Sequence, residues 1–235
     1  MKALTNLVVA SLATLSLVSC GTGSNDLSME VRLTYEGVPY NVGETVFKGD
    51  TALRFEKFYF YLSDFQVGDQ LLEEVMFCNA EDSATMNYTW TLDDKATHLS
   101  FAVGVDSLNN AMDPTTFEVG HPLSSANDMY WSWATKYRFL RIDGRLNGSG
   151  MLGTDDILLA WHTGKDELYR TVDLSNQLTG AIKPGDHVVL EFELDGLIAG
   201  MSLESESMTH TMVDDYEIAV KLSNNLPSAF AVRVE

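Results

Sequence analysis

The chain has 235 residues, with 15 Lys+Arg against 34 Asp+Glu and a net charge of −19. A field of that sign repels nucleic acid and anionic lipid surfaces, which excludes a polyanion partner. Two cysteines are too few for a disulfide framework, so a core drawn from a chain that is 45% apolar must hold itself together.

The first residues point to a compartment. Lys2 supplies a short positive region, residues 7–18 form an apolar run too short to span a bilayer, and Leu17-Val18-Ser19-Cys20 has the small-residue cleavage pattern with cysteine just after the cut. An ordinary secretory peptide is the rival, but the position of Cys20 favours a bacterial lipoprotein signal over residues 1–19, with Cys20 lipidated. Gly21-Thr22-Gly23-Ser24-Asn25 then reads as part of a flexible tether over 20–27, ahead of a single folded domain over 28–235. The expected product is exported to the cell envelope, facing the periplasm or the cell surface, and meets the membrane only through its lipid. Its charge is −20, since residues 1–19 hold one lysine and no acid, and Cys78 is then the sole free thiol.

Period-two alternation dominates residues 28–235. Met29, Val31 and Leu33 mark a first strand. Residues 50–67 carry apolar side chains at 53 and 55 and then at 58, 60 and 62, and the change of parity at Glu56-Lys57 predicts a β-bulge. In residues 69–78 a helical turn competes with strand. Leu99, Phe101, Val103 and Val105 alternate, as do Leu140 and Ile142. Residues 157–161 form a continuous apolar run, as in a strand buried on both faces. Val188, Leu190, Phe192 and Leu194 come next, then Ile218, Val220 and Leu222, although residues 214–221 also admit a helical turn. Phe230, Val232 and Val234 close the chain. Turn chemistry at Asn147-Gly148-Ser149-Gly150, Lys183-Pro184-Gly185-Asp186 and Asn224-Asn225-Leu226-Pro227 separates these segments. The pattern predicts an all-β, antiparallel β-sandwich with long aromatic loops.

Residues 129–144 stand out. Tyr130, Trp131, Trp133 and Tyr137 crowd the first nine positions, and the segment then becomes an alternating strand that closes on Gly144. Such a surface buries against a core or lines a site; a packed aromatic corner is the ordinary account. The preceding loop, residues 106–128, is long for such a fold, and loops of that length are functional or disordered.

The common catalytic signatures are missing: there is no Gly-x-Ser-x-Gly elbow, His-Glu-x-x-His, phosphate-cradling glycine loop or Cys-x-x-Cys. Gly148-Ser149-Gly150 reads as a turn and not a nucleophile elbow. Asp155-Asp156 and Asp214-Asp215 lack the spaced oxygens of a calcium loop. Of five histidines, His98 and His187 read as surface residues and His121 is undecided. His162 ends the apolar run and is followed by Thr163-Gly164, at the mouth of a buried strand, where an imidazole faces a site. His210 lies in Met208-Thr209-His210-Thr211-Met212. If that segment is extended, both thioethers and the imidazole share a face and form a soft set suited to Cu(I). Core methionines beside a hydrogen-bonded histidine are the ordinary alternative.

Several fragments, in order along the chain, together resemble the methanobactin-associated MbnP family, which includes copper-repressible surface proteins. They are Phe58-Tyr59-Phe60-Tyr61-Leu62-Ser63-Asp64-Phe65, Phe101-Ala102-Val103-Gly104-Val105-Asp106, Met129-Tyr130-Trp131-Ser132-Trp133, Tyr137-Arg138-Phe139-Leu140-Arg141-Ile142-Asp143-Gly144, Trp161-His162-Thr163-Gly164 and the closing residues 225–230. The resemblance implies a β-sandwich that binds copper, as Cu(I) or Cu(II), through histidines and is not itself an enzyme. In some relatives a tryptophan near the site is oxidised to kynurenine by a dihaem protein of the cytochrome c peroxidase type. Carried over by position, His162 is the first ligand candidate, His210 the second, and Trp131 or Trp133 the candidate for modification. Thr135-Lys136-Tyr137 stands where relatives often have Ser-Gly-Tyr, which puts a lysine beside the aromatic pair. The alternative function is an interaction lipoprotein that grips a protein or glycan by stacking on its aromatic loop.

Overall fold

The computed structural model describes residues 25–131, 136–213 and 215–235. The expected signal segment 1–19, Cys20 and Trp133 lie outside them, as does Asp214. In chain order the strands are β1 (Asp26–Tyr35), β2 (Val38–Pro39), β3 (Thr45–Lys48), β4 (Thr51–Val67), β5 (Gln70–Asn79), β6 (Asn87–Thr91) and β7 (Leu99–Val103). A single-turn helix α1 (Ser107–Asn110) leads to β8 (Tyr130–Trp131), β9 (Lys136–Asn147), β10 (Ile157–Gly164), β11 (Arg170–Asp173) and β12 (His187–Glu193). The last elements are α2 (Leu194–Leu197), β13 (Met208–Thr209), α3 (Tyr216–Asn225) and β14 (Phe230–Val234). The first strand thus opens at Asp26, inside the segment expected to be tether.

Among the described residues the strands form two sheets. The smaller runs β14-β12-β1-β2, with β6 on the other stretch of β1; the larger runs β11-β7-β4-β9-β10-β13, with β3, β5 and β8 attached. At 17 residues, β4 is long enough to take two neighbours in succession on each edge, and it carries two bulges. One is the expected shift between Phe55 and Lys57. The second lies around Asp64, whose φ of 51° is left-handed, and it resets parity between Leu62 and Phe65. The inner faces meet through edge-to-face rings: Phe192 of β12 lies 5.3 Å from Phe58 and 5.2 Å from Phe60 of β4, and stacks at 4.3 Å on Phe230. Trp161 of β10 is fully buried beside Phe55 in the same core.

The structure corrects several expectations. The sheets are mixed and not purely antiparallel, because β1 runs parallel to β12 and β10 parallel to β13. Residues 70–79 are strand, not helix. Ile218, Val220 and Leu222 do not form a strand: they lie in α3, which buries Ala219, Leu222 and Ser223 at helical spacing. β10 is not buried on both faces throughout, since Leu158 is 61% exposed. Nor does β9 close on Gly144. The strand passes through it, and a Cβ there would lie 2.3 Å from the Arg54 carbonyl oxygen of β4. The glycine is needed because the bulged neighbour approaches too closely for a side chain.

The loop 106–128 is a series of capped turns lying over a second apolar cluster that includes Tyr61, Leu123, Met129, Tyr137 and Phe139. Asp106, Asp113 and Ser124 cap its short turns, and the Tyr61 and Tyr137 hydroxyls donate to the Pro122 and Leu123 carbonyls at 3.0 and 2.8 Å. The buried Cys78 thiol, pushed up to about 12 by burial, is unreactive core. Among the described residues no helix is long and apolar enough to cross a membrane. Gly144→Ala is expected to cost about 1–3 kcal/mol, the range for forcing extra atoms into packed structure, read as a lower denaturant midpoint at unchanged m-value.

Candidate metal centre

The site begins with the alternation of β10. Trp161 points into the core, where its Nε1–H donates to the Glu206 carbonyl at 2.8 Å. His162, the next residue, faces the other side of the larger sheet. There it pairs across to Arg141 of β9 and lies diagonal to Asp143, whose Oδ1 is 2.6 Å from His162 Nε2. His162 is only 6% exposed, and its Nδ1 is buried without a hydrogen-bond partner among the described residues. Burial is the largest influence on this imidazole and holds its pKa below 6.5; Arg138 and His210 act in the same sense, against the pull of Asp143. Burial pushes Asp143 the other way, but the hydrogen bond and charge from His162, together with Arg141, bring it below the usual carboxylate range. The two shifts compete, since Asp143 gains most from a charged histidine. Burial decides for a neutral ring, so Nε2–H donates to an ionised Asp143 and Nδ1 carries a bare lone pair.

His210 arrives by the parallel pairing of β13, in which Thr209 lies opposite Trp161. Asp215 fixes the turn after it. Its carboxylate accepts from the backbone N–H of His210 at 2.9 Å and of Met212 at 2.8 Å, and from the Thr209 hydroxyl at 3.0 Å. Thr211, left-handed at φ 61°, donates its hydroxyl to the His162 carbonyl at 2.8 Å. The segment is therefore not extended through Met212: the strand ends at Thr209, and the turn carries Met212 off the line of Met208 and His210. Both methionines are exposed.

Trp131 completes the group. Its half-buried ring lies 5.2 Å from His162 and 5.3 Å from His210, stacked on the latter, and the two imidazoles are 5.0 Å apart. The Arg138 guanidinium carbon sits 4.6 Å over the Trp131 ring. Arg138 and Arg141 both donate to the main-chain carbonyl and the carboxylate of Asp128, and Arg141 also reaches Asp143 at 3.2 Å. Asp128, Arg141, Asp143 and His162 thus form one connected polar chain behind the rings.

The structure therefore brings His162, His210 and Trp131 together from three elements. Arg138, Arg141 and Asp143 join them without any ligand signature in the sequence; their only signal is a charged residue inside the aromatic run Tyr137-Arg138-Phe139. The positive charge expected from Lys136 is supplied at the ring by Arg138 instead. Lys136 is exposed, and its backbone is left-handed at φ 62°, a conformation that glycine takes without strain. His98 bonds Ser175 and Ser100 at 2.7 and 3.0 Å, and His187 bonds Ser28 at 2.9 Å. His121 is a loop clasp, accepting from the Leu123 N–H at 3.1 Å and stacking on Phe117.

Imidazole nitrogens suit copper, and a buried, unpartnered Nδ1 whose other nitrogen is fixed by a carboxylate is how a histidine is prepared for a metal. The donor set fits to that extent. Among the described residues no group of three or more His, Cys, Asp or Glu side chains is placed to hold a metal ion, and those residues bring two imidazoles beside an indole ring.

The MbnP family profile matches residues 24–213. No curated protein matches the chain. Among solved structures, MbnP from Methylosinus trichosporium superposes with a TM-score of 0.59 at 13% identity, over 89% of this chain and 98% of that one, a likeness of fold.

Lys136→Gly is expected to raise stability by about 0.5–1 kcal/mol by relieving the left-handed backbone, measured as a higher unfolding midpoint. A second expectation concerns acid. Because His162 is held below 6.5 in the folded state, the unfolded chain takes up its proton first as pH falls. Its contribution is complete above pH 6.5 and declines below it, toward the depressed folded value. Denaturant titrations of metal-free protein at about pH 7.5 and 5.5, on either side of the ordinary histidine value, should show a smaller pH difference in His162→Gln than in the wild type.

Proposed function

The chain belongs to the MbnP family, and from that premise we propose that it is an exported copper-binding protein that uses His162 and His210 as ligands. The observation that carries this reading is the bare Nδ1 of the buried His162, with His210 and Trp131 packed around the ring. Copper, when bound, supplies a soft Lewis acid for nitrogen donors. The protein's own part is to hold His162 neutral and oriented through Asp143, to fix His210 through Asp215, and to shield the pair with Trp131.

Location and maturation complete the picture. Cys20 carries the lipid that tethers the domain in the cell envelope. Trp131 or Trp133 is oxidised to kynurenine by a dihaem partner, and the protein itself catalyses nothing. The Trp131 ring supports the metal reading over a stacking platform for a glycan or protein, because it is engaged by His162, His210 and Arg138. Mass spectrometry of the peptide holding both tryptophans, from protein expressed with and without the partner, checks for kynurenine.

Competition titration against a chelator tests the metal site. One-to-one binding is expected, weakened more than about a hundredfold in His162→Ala, beyond the upper end for a residue that only supports a ligand. Asp143→Asn, which loosens the orienting hydrogen bond while leaving both ligands, is expected to weaken it about tenfold, the lower end of that range. Affinity unchanged in His162→Ala sinks the ligand assignment.

A further inference from the structure

We infer that Arg138 sets the oxidation-state preference of the metal site, disfavouring Cu(II) relative to Cu(I). This role rests on the copper reading and deepens it. Four charged side chains surround the three rings, and they differ sharply in exposure. The Arg138 side chain is 3% exposed, Arg141 14%, Asp143 31% and Asp128 72%. Water screens the exposed Asp128, Asp143 is committed to His162 and Arg141, and Asp215 is committed to the turn after His210, so Arg138, the least exposed of the four charges at the rings, keeps a positive field there.

Arg138 is also poorly compensated by hydrogen bonds. Its Nε is buried without a partner among the described residues, and its carboxylate contact to Asp128 Oδ1 is long, at 3.3 Å. Asp128 is shared with Arg141, which makes the closer contact. The guanidinium is nonetheless fixed, by the Asp128 main-chain carbonyl and by the Trp131 ring 4.6 Å away, and that ring touches both histidines. An arginine does not relieve such a position by losing its proton. A fixed, uncancelled positive charge therefore faces the place where a cation binds.

The effect on the two copper states follows from their charges. Cu(II) carries one unit more than Cu(I), so the repulsion that weakens Cu(I) by some factor weakens Cu(II) by about its square. Removing the charge strengthens both states and favours Cu(II). A group that merely positioned Trp131 would act differently, because its loss would weaken both states together.

The test is a pair of competition titrations, one with Cu(I) under a reductant and one with Cu(II), on wild type, Arg138→Gln, Arg138→Lys and Asp128→Asn. Arg138→Gln is expected to tighten Cu(I) about threefold and Cu(II) about tenfold. That threefold change in ratio corresponds to a reduction potential lower by roughly 30 mV. Arg138→Lys keeps the charge and should keep the wild-type ratio. Asp128→Asn retains the main-chain carbonyl that holds both arginines and removes only an exposed charge that water already screens. It should leave the ratio near the wild-type value, and a shift as large as that in Arg138→Gln overturns the inference; Arg138→Met, titrated alongside, is a second charge-free variant should Arg138→Gln not fold. Copper binding with an unchanged ratio in Arg138→Gln, or in Arg138→Met if only that variant folds, overturns the role of Arg138 and leaves the copper reading standing. No binding of either state by the wild type overturns both.

Discussion

The hydrogen bond between His162 Nε2 and Asp143 Oδ1 is the interaction on which the site depends. It fixes which nitrogen carries the proton and therefore which one is available to a ligand. At an exposed position water would satisfy Nδ1 and the distinction would matter little. Buried under Trp131, the lone pair has no such substitute, and leaving it unpaired costs free energy that the folded state bears elsewhere.

The surrounding architecture serves that bond. β9 and β10 are neighbours in the larger sheet, so Asp143 and His162 sit on rigid, paired backbone and not on loops. The core ring of Trp161, tied to the Glu206 carbonyl, locks the parity of β10 and thereby the direction of His162. The short parallel strand β13 adds His210 at the sheet edge, and the Asp215 carboxylate organises the turn after it. Two short segments without a strong pattern of their own are thus held by hydrogen bonds to an otherwise regular sheet.

Charge is distributed across the site just as locally. Asp143 favours the histidine's proton on Nε2 and accepts from Arg141; Asp128 gathers both arginines at a left-handed corner. The acidic total of the chain says nothing of this arrangement, because the overall field arises from solvated side chains whereas the local field is set by the least exposed ones. At the rings the buried guanidinium of Arg138 is less screened than the exposed carboxylate of Asp128.

Much is legible in the sequence. Period-two alternation marks most of the long strands, and the parity change at Glu56-Lys57 marks the first bulge, since side-chain direction in a strand is a local property of the backbone. It also separates Trp161 from His162. Local pattern does not decide the strand directions: two of the pairings are parallel, and register between distant segments depends on which faces bury together. Alternation at Ile218, Val220 and Leu222 is outvoted by packing of a helical face. The second bulge, at Asp64, leaves only a faint trace in the step from Leu62 to Phe65. The sequence by itself determined a mostly-β chain with candidate ligands His162 and His210 and an aromatic segment at Trp131. Only the tertiary structure decided that these three meet, that Met212 leaves them, and that Arg138 and Asp143 join them. The contacts span up to 79 positions along the chain, between Trp131 and His210, and no spacing rule within a strand or helix reaches that far.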